Sequence, residues 1–197
     1  MSNENDWDTY REIIAKEFFK VCDNKNVLEI APFNGHQTQA ITTYNLNSLT
    51  LVEPNSEVEN VLIKKFPTAT VIVDDIFNFY QNKFPVDIVV ACGLLYHLHS
   101  PLHLLELIAN QSDPDYIILD CTSHNNININ VELPNQPGNR YTIGDWKSVN
   151  YYIAIPFDYI DSSLNHLGYT CIKHRMLADM NISSKKTSWM ASWKKDS

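Results

Sequence analysis

The period of the apolar positions changes repeatedly along this chain. Trp7, Tyr10, Ile13, Ile14, Phe18 and Val21 recur at helical spacing, which predicts a helix over 7–22. Val27 to Ala31 is a short, mostly apolar run that ends in Pro32-Phe33-Asn34-Gly35, a turn signal. A helix is expected over 36–44, then a second strand from Leu49 to Glu53. Pro54-Asn55-Ser56 offers an N-cap for a helix over 57–66, whose Val58, Val61, Leu62 and Phe66 share a face. Thr70 to Val73 reads as a third strand ending at Asp74-Asp75, with a short helix through Tyr80 after it. Val86 to Cys92 is nearly all apolar and predicts a fourth strand. Pro101 opens a leucine-rich helix to Ala109, and Tyr116 to Cys121 makes the fifth strand.

Buried strands that alternate with helices predict an α/β fold, a doubly wound and mostly parallel sheet with helices on both faces. Ligands of such sheets bind at the carboxyl ends of the strands. Thr122 to Pro156 breaks the rhythm with scattered asparagines and prolines; it is too long for a plain connection. Phe157 to Leu167 resumes as a helix that Gly168 ends. Thr170 to Met176 and Thr187 to Trp193 are two more strands. The link between them is too short for a helical crossover, so they should form an antiparallel edge hairpin. The organisation expected is one domain over 1–197, with an N-terminal helix in 1–24 and a substrate-covering insertion at 122–156.

Composition narrows the class. The chain has 197 residues, 44% of them hydrophobic, enough for one domain with a core that needs no disulfide or metal. Twenty-three acidic residues against fifteen basic give a net charge of -8. No long-range basic field is available, so nucleic acid is not favoured as partner and a small-molecule substrate is. No apolar run approaches the roughly 18 to 20 residues of a membrane span, and the polar N-terminus is unlike a signal or transit peptide, so a soluble cytoplasmic protein is expected. Cys22, Cys92, Cys121 and Cys171 are far apart, as small buried hydrophobes in a reducing compartment would be.

Carboxylates mark the strand ends. Glu29 lies within the first strand, Glu53 closes the second and Asp75 follows the third. An acid at the end of strand two of a doubly wound sheet is placed to take two ribose hydroxyls. An acid after strand three can reach an adenine amine. The alternatives are a helix N-terminal charge for Glu53 and a helix cap for Asp75. Gly35 gives the turn after strand one its backbone freedom, but G-x-G-x-x-G is absent, which argues against a dinucleotide.

Four segments together resemble the class I S-adenosylmethionine-dependent methyltransferases. Val27-Leu28-Glu29-Ile30-Ala31-Pro32-Phe33-Asn34-Gly35 is similar to the family's first loop of an acid and three alternating glycines. The acid and last glycine match, while Ala31 and Phe33 replace the first two glycines. Leu51-Val52-Glu53-Pro54 resembles the second motif, Val73-Asp74-Asp75-Ile76 the third, and Asp87 to Leu98 the fourth. The resemblance spans roughly 25 to 195 and implies a seven-stranded sheet with S-adenosyl-L-methionine as cofactor. It implies cofactor contacts from Glu29, Ala31, Phe33, Asn34, Gly35, Glu53, Pro54, Asp75, Ile76, Cys92, Gly93, Leu94 and Tyr96. It also implies methyl transfer to an unidentified acceptor.

His97 would then lie near the methyl group, as a catalytic base or acceptor-positioning residue; structural packing is its alternative. Arg140, Tyr141, Trp146 and Tyr151 in the insertion are candidate substrate contacts. His97, His99 and His103 are close in sequence, but Pro101 starts a helix between them and no metal is expected. Gly93-Leu94-Leu95-Tyr96-His97-Leu98 also resembles tRNA wobble-uridine carboxymethyltransferases, so a tRNA-modifying enzyme is one alternative. The replaced glycines raise another, a non-catalytic scaffold or binding module that keeps the fold.

Overall fold

A strand buried on both faces must hand its alternate side chains to two different layers. The computed structural model, which describes residues 13, 14, 16–122, 155–176 and 188–197, shows this division. Its strands are β1 (Asn26–Ile30), β2 (Ser48–Val52), β3 (Thr70–Ile72), β4 (Ile88–Cys92), β5 (Tyr116–Thr122), β6 (Tyr169–Met176) and β7 (Ser188–Lys195). Its α-helices are α1 (His36–Ile41), α2 (Glu59–Lys65), α3 (Ile76–Phe79), α4 (Pro101–Leu107) and α5 (Phe157–His166). Leu28 and Ile30 of β1 join Val89 and Ala91 in a core roofed by Leu104, Leu105, Ile160 and Leu164 of α4 and α5. Val27 faces the other way, with Leu51, Ile88 and Val90, under Phe18, Phe19, Ile41 and Leu62.

The seven strands lie in the order β3-β2-β1-β4-β5-β7-β6. β1 pairs in parallel with β2 and with β4, so Glu29 lies between Leu51 and Val90. The strand order reverses between β1 and β4, and that switch point opens a crevice at the carboxyl ends of both strands. β7 runs antiparallel to β5 and β6, forming the expected edge hairpin with β6 outermost. Trp189 and Trp193 of β7 are fully buried; Trp193 Nε1 donates to Asp161 Oδ1 at 2.8 Å and Trp189 Nε1 to the Ile155 carbonyl at 3.2 Å.

Two elements depart from the sequence expectation. The N-terminal helix does not run evenly to 22: the chain tightens into a 3-10 turn at Phe19–Cys22, and Asn24 is left-handed with φ 57°. The leucine-rich helix does not stop at Ala109 but widens into a π-helical turn, Ile108–Ser112. That turn buries Ile108 and Ser112 together and lets the Ser112 hydroxyl donate to Tyr80 Oη at 3.1 Å. None of the four cysteines is in a disulfide; Cys22 and Cys121 are buried, while Cys92 at the end of β4 and Cys171 on the edge strand are only half-buried. No described helix is long and apolar enough to cross a membrane. Trp7, Tyr10 and most of the 122–156 segment lie outside the described residues.

Candidate functional site

The site is built where β1, β2, β3 and β4 end. After β1 the chain makes three left-handed residues in alternation: φ is 56° at Ala31, 51° at Phe33 and 81° at Gly35. Side chains other than glycine resist this region by roughly 1–2 kcal/mol each. Ala31 N–H still reaches across to the Val52 carbonyl at 2.8 Å, and Gly35 N–H closes onto Pro32 at 2.9 Å. Gly35 is required twice over, since a Cβ there would also lie 2.8 Å from Phe66 Cζ. Lys65 Nζ donates to the Asn34 carbonyl at 2.9 Å, and Asn34 Nδ2 pairs with His36 Nε2 at 2.9 Å. The Phe33 ring at the apex is 44% exposed.

Glu53 fastens this loop. Its side chain is buried; Oε2 accepts the Phe33 N–H at 2.8 Å and Oε1 accepts the Asn55 N–H at 2.9 Å. Burial raises the Glu53 carboxyl above its ordinary range, and the Asn55 and Phe33 amides pull it partly back. The charge-assisted bond to Phe33 N–H helps to hold a non-glycine residue in left-handed geometry. Glu29 is fully enclosed, and burial pushes its carboxyl up to about 8; Thr38 opposes this and the charge of Glu53 adds to it. Glu29 Oε2 has no hydrogen-bond partner among the described residues. At neutral pH Glu29 is therefore largely protonated.

Asp75 caps α3: its Oδ1 accepts the Phe77 N–H at 2.8 Å, and Ile76 behind it is buried. The capping alternative is thus realised at this residue. Past β4, Gly93 is left-handed at 72°, and a Cβ there would lie 3.3 Å from Tyr96 Oη. Leu95–His97 is a 3-10 turn that presents Tyr96 and His97 side by side, their ring centroids 4.4 Å apart. His103 stacks on Phe77 at 5.7 Å. Among the described residues no three histidine, cysteine, aspartate or glutamate side chains are grouped to hold a metal ion.

The fold thus gathers Glu29, Ala31, Phe33, Asn34, Gly35, Glu53 and Pro54 on one side of the switch point, with Asp75 and Ile76 beyond β3. Cys92, Gly93, Leu94, Tyr96 and His97 stand on the other side. Arg140, Tyr141, Trp146 and Tyr151 lie outside the described residues. Lys65 and Thr38 were not singled out from the sequence, and Asn55 was read only as a helix cap. An exposed lysine in a helix and a buried threonine carry no local signal of the loop or acid they serve.

No family model and no curated protein matches the chain. Solved structures do. An S-adenosylmethionine-dependent methyltransferase from Mesorhizobium loti superposes with TM-score 0.70 at 10% identity, covering 96% of this chain and 100% of the other. The N-methyltransferase NodS from Bradyrhizobium japonicum WM9 gives TM-score 0.69 at 12% identity, covering 100% of each. The magnesium protoporphyrin IX methyltransferase from Synechocystis PCC 6803, crystallised with S-adenosylhomocysteine, gives 0.66 at 11% identity, covering 99% and 84%. At such identities the likeness is one of architecture: the chain has the seven-stranded fold of the class I S-adenosylmethionine-dependent methyltransferases.

Proposed function

We propose that this chain transfers a methyl group from S-adenosyl-L-methionine to a small-molecule acceptor. The observation that carries the reading is the loop after β1, left-handed at 31, 33 and 35 and tied to Glu53 at the switch point. Such a shape brings bare backbone close to a ligand. Keeping it with Ala31 and Phe33 is strained, and a loop that only connected two elements would have no use for that strain. Phe33 is partly exposed at the apex of this loop.

The residues present fit the cofactor. Each Glu53 oxygen accepts one backbone amide and keeps a second lone pair, enough for two ribose hydroxyls. Ile76 and Gly93-Leu94 would flank the adenine, with Asp75 at its edge, and Tyr96 would stand toward the methionine end. Glu29 Oε2 is a buried carboxyl oxygen without a partner among the described residues. When bound, the sulfonium supplies an electrophilic methyl group. The protein's part is then to align the acceptor and exclude water. His97, at the end of β4, would orient the acceptor or take its proton. The 122–156 segment would cover the substrate within a single domain. The net charge of -8 supports a small acceptor over a nucleic acid.

Calorimetric titration of the purified protein with S-adenosylmethionine and S-adenosylhomocysteine tests the cofactor, beside Glu53→Gln. Binding by the wild type that weakens at least tenfold in the variant supports the reading. A wild type that takes neither ligand overturns it. His97→Ala should then lower turnover on the identified acceptor with little change in cofactor affinity; unchanged turnover would remove His97 from the mechanism.

A further inference from the structure

The end of β2 holds a polar group for which the fold offers no partner. Asn55 is 4% exposed. Its N–H donates to Glu53 Oε1 at 2.9 Å, its Oδ1 accepts the Glu57 N–H at 3.0 Å, and its carbonyl accepts the Val58 N–H at 3.2 Å. Only Nδ2 has no hydrogen-bond partner among the described residues. An amide donor left unpaired in the interior is a net cost to folding. Capping does not call for it, because aspartate caps as well as asparagine and brings no donor at all.

We propose that Asn55 is a ligand-binding residue: Nδ2 donates a hydrogen bond to a ribose oxygen of the adenosyl group, beside the Glu53 carboxylate. This rests on the cofactor reading above. A carboxylate accepts only, so it recognises the hydrogens of a vicinal diol and leaves the diol oxygens without donors. Each Glu53 oxygen is oriented by a backbone amide, and the Asn55 backbone wraps one of them. Glu53 and Asn55 together thus present acceptor and donor to the same pair of hydroxyls. The site would read a complete ribose, in which every hydroxyl both gives and takes a hydrogen bond.

Asn55→Ser keeps the cap and replaces the amide donor with a hydroxyl that stops one bond shorter. The variant is compared with the wild type by urea denaturation and by titration with S-adenosylhomocysteine, adenosine, 2′-deoxyadenosine and 3′-deoxyadenosine. The expected result is a urea midpoint no lower than that of the wild type, with affinity for S-adenosylhomocysteine and adenosine reduced about tenfold, the size of one neutral hydrogen bond. The two proteins should bind alike the deoxyadenosine that lacks the accepting hydroxyl. Equal affinity of variant and wild type for S-adenosylhomocysteine would overturn the assignment and leave the amide to the turn alone. If the serine variant does not fold, Asn55→Asp retains a capping oxygen without the donor and answers the same question. A wild type that binds no adenosyl ligand removes the cofactor reading and this inference together; a wild type that binds while the variant loses nothing removes only this inference.

Discussion

The strained loop makes a prediction whose sign runs against the usual effect of glycine. Ala31 has φ 56°, in the region that L side chains resist by about 1–2 kcal/mol. Ala31→Gly relieves that strain. It also frees the unfolded chain, a loss of about 0.4–1 kcal/mol, and removes one partly buried methyl packed on the core, a loss of roughly 0.5 kcal/mol. The sum is a variant between about 0.5 kcal/mol less and about 1 kcal/mol more stable than wild type, centred slightly on the stable side. Ala40 is the control, since it sits in α1, is 2% exposed and has no strain to relieve. Ala40→Gly adds the helix cost of glycine, about 1 kcal/mol, to the lost methyl and should be about 1.5 kcal/mol less stable. Urea denaturation of the three proteins reads the difference directly. In a chain of this size a gap of that order moves the thermal midpoint by about 3–8 °C. If Ala31→Gly loses as much stability as Ala40→Gly, the loop is not strained at position 31 and the argument from its shape fails.

Gly35→Ala should do the reverse: at φ 81°, with a Cβ 2.8 Å from Phe66 Cζ, it should lose about 3 kcal/mol in urea and weaken any adenosyl-ligand binding. Glu29 gives a pH dependence. Its carboxyl stands at about 8 in the folded protein against an ordinary 4.5, so between these values the folded state holds a proton that the unfolded state has released. That contribution to stability is complete below about 4.5 and is lost as pH rises through about 8. Glu29→Gln should therefore gain on the wild type steadily from pH 5 to about pH 8 and level off above it in urea titrations, and parallel curves would refute the burial of an uncompensated acid. Burial, with the charge of Glu29, pushes the Cys22 thiol up to about 12, so a thiol reagent at pH 8 should modify it only at the rate of unfolding. Rapid labelling of Cys22 in the folded protein would contradict its packing beneath β1.

What was legible in the sequence follows from where each signal originates. Ile88–Cys92 was read as a strand because burial on both faces leaves a continuous apolar run, a purely local record. The π-helical turn at Ile108–Ser112 leaves no such record: its hydrogen bond is made to Tyr80, distant in sequence. The site divides in the same way. Glu53 was singled out from its place at the end of β2, and Asp75 from its place after β3. That both Glu53 oxygens hold backbone amides was not readable, because Phe33 reaches them only through the pairing of β1 with β2. Residue type pointed to backbone freedom at Gly35 alone, whereas the chain takes the same left-handed turn at Ala31 and Phe33. The difference is supplied from outside the loop, by Glu53 on Phe33 and by Lys65 on Asn34. It follows that Glu53 holds the loop as well as standing where the proposed adenosyl ligand would sit. Its replacement will disturb both, and even Glu53→Gln keeps a single acceptor oxygen and sets an amide donor against either the Phe33 or the Asn55 N–H, so the shape of the loop and the recognition of a ribose are carried by the same two atoms.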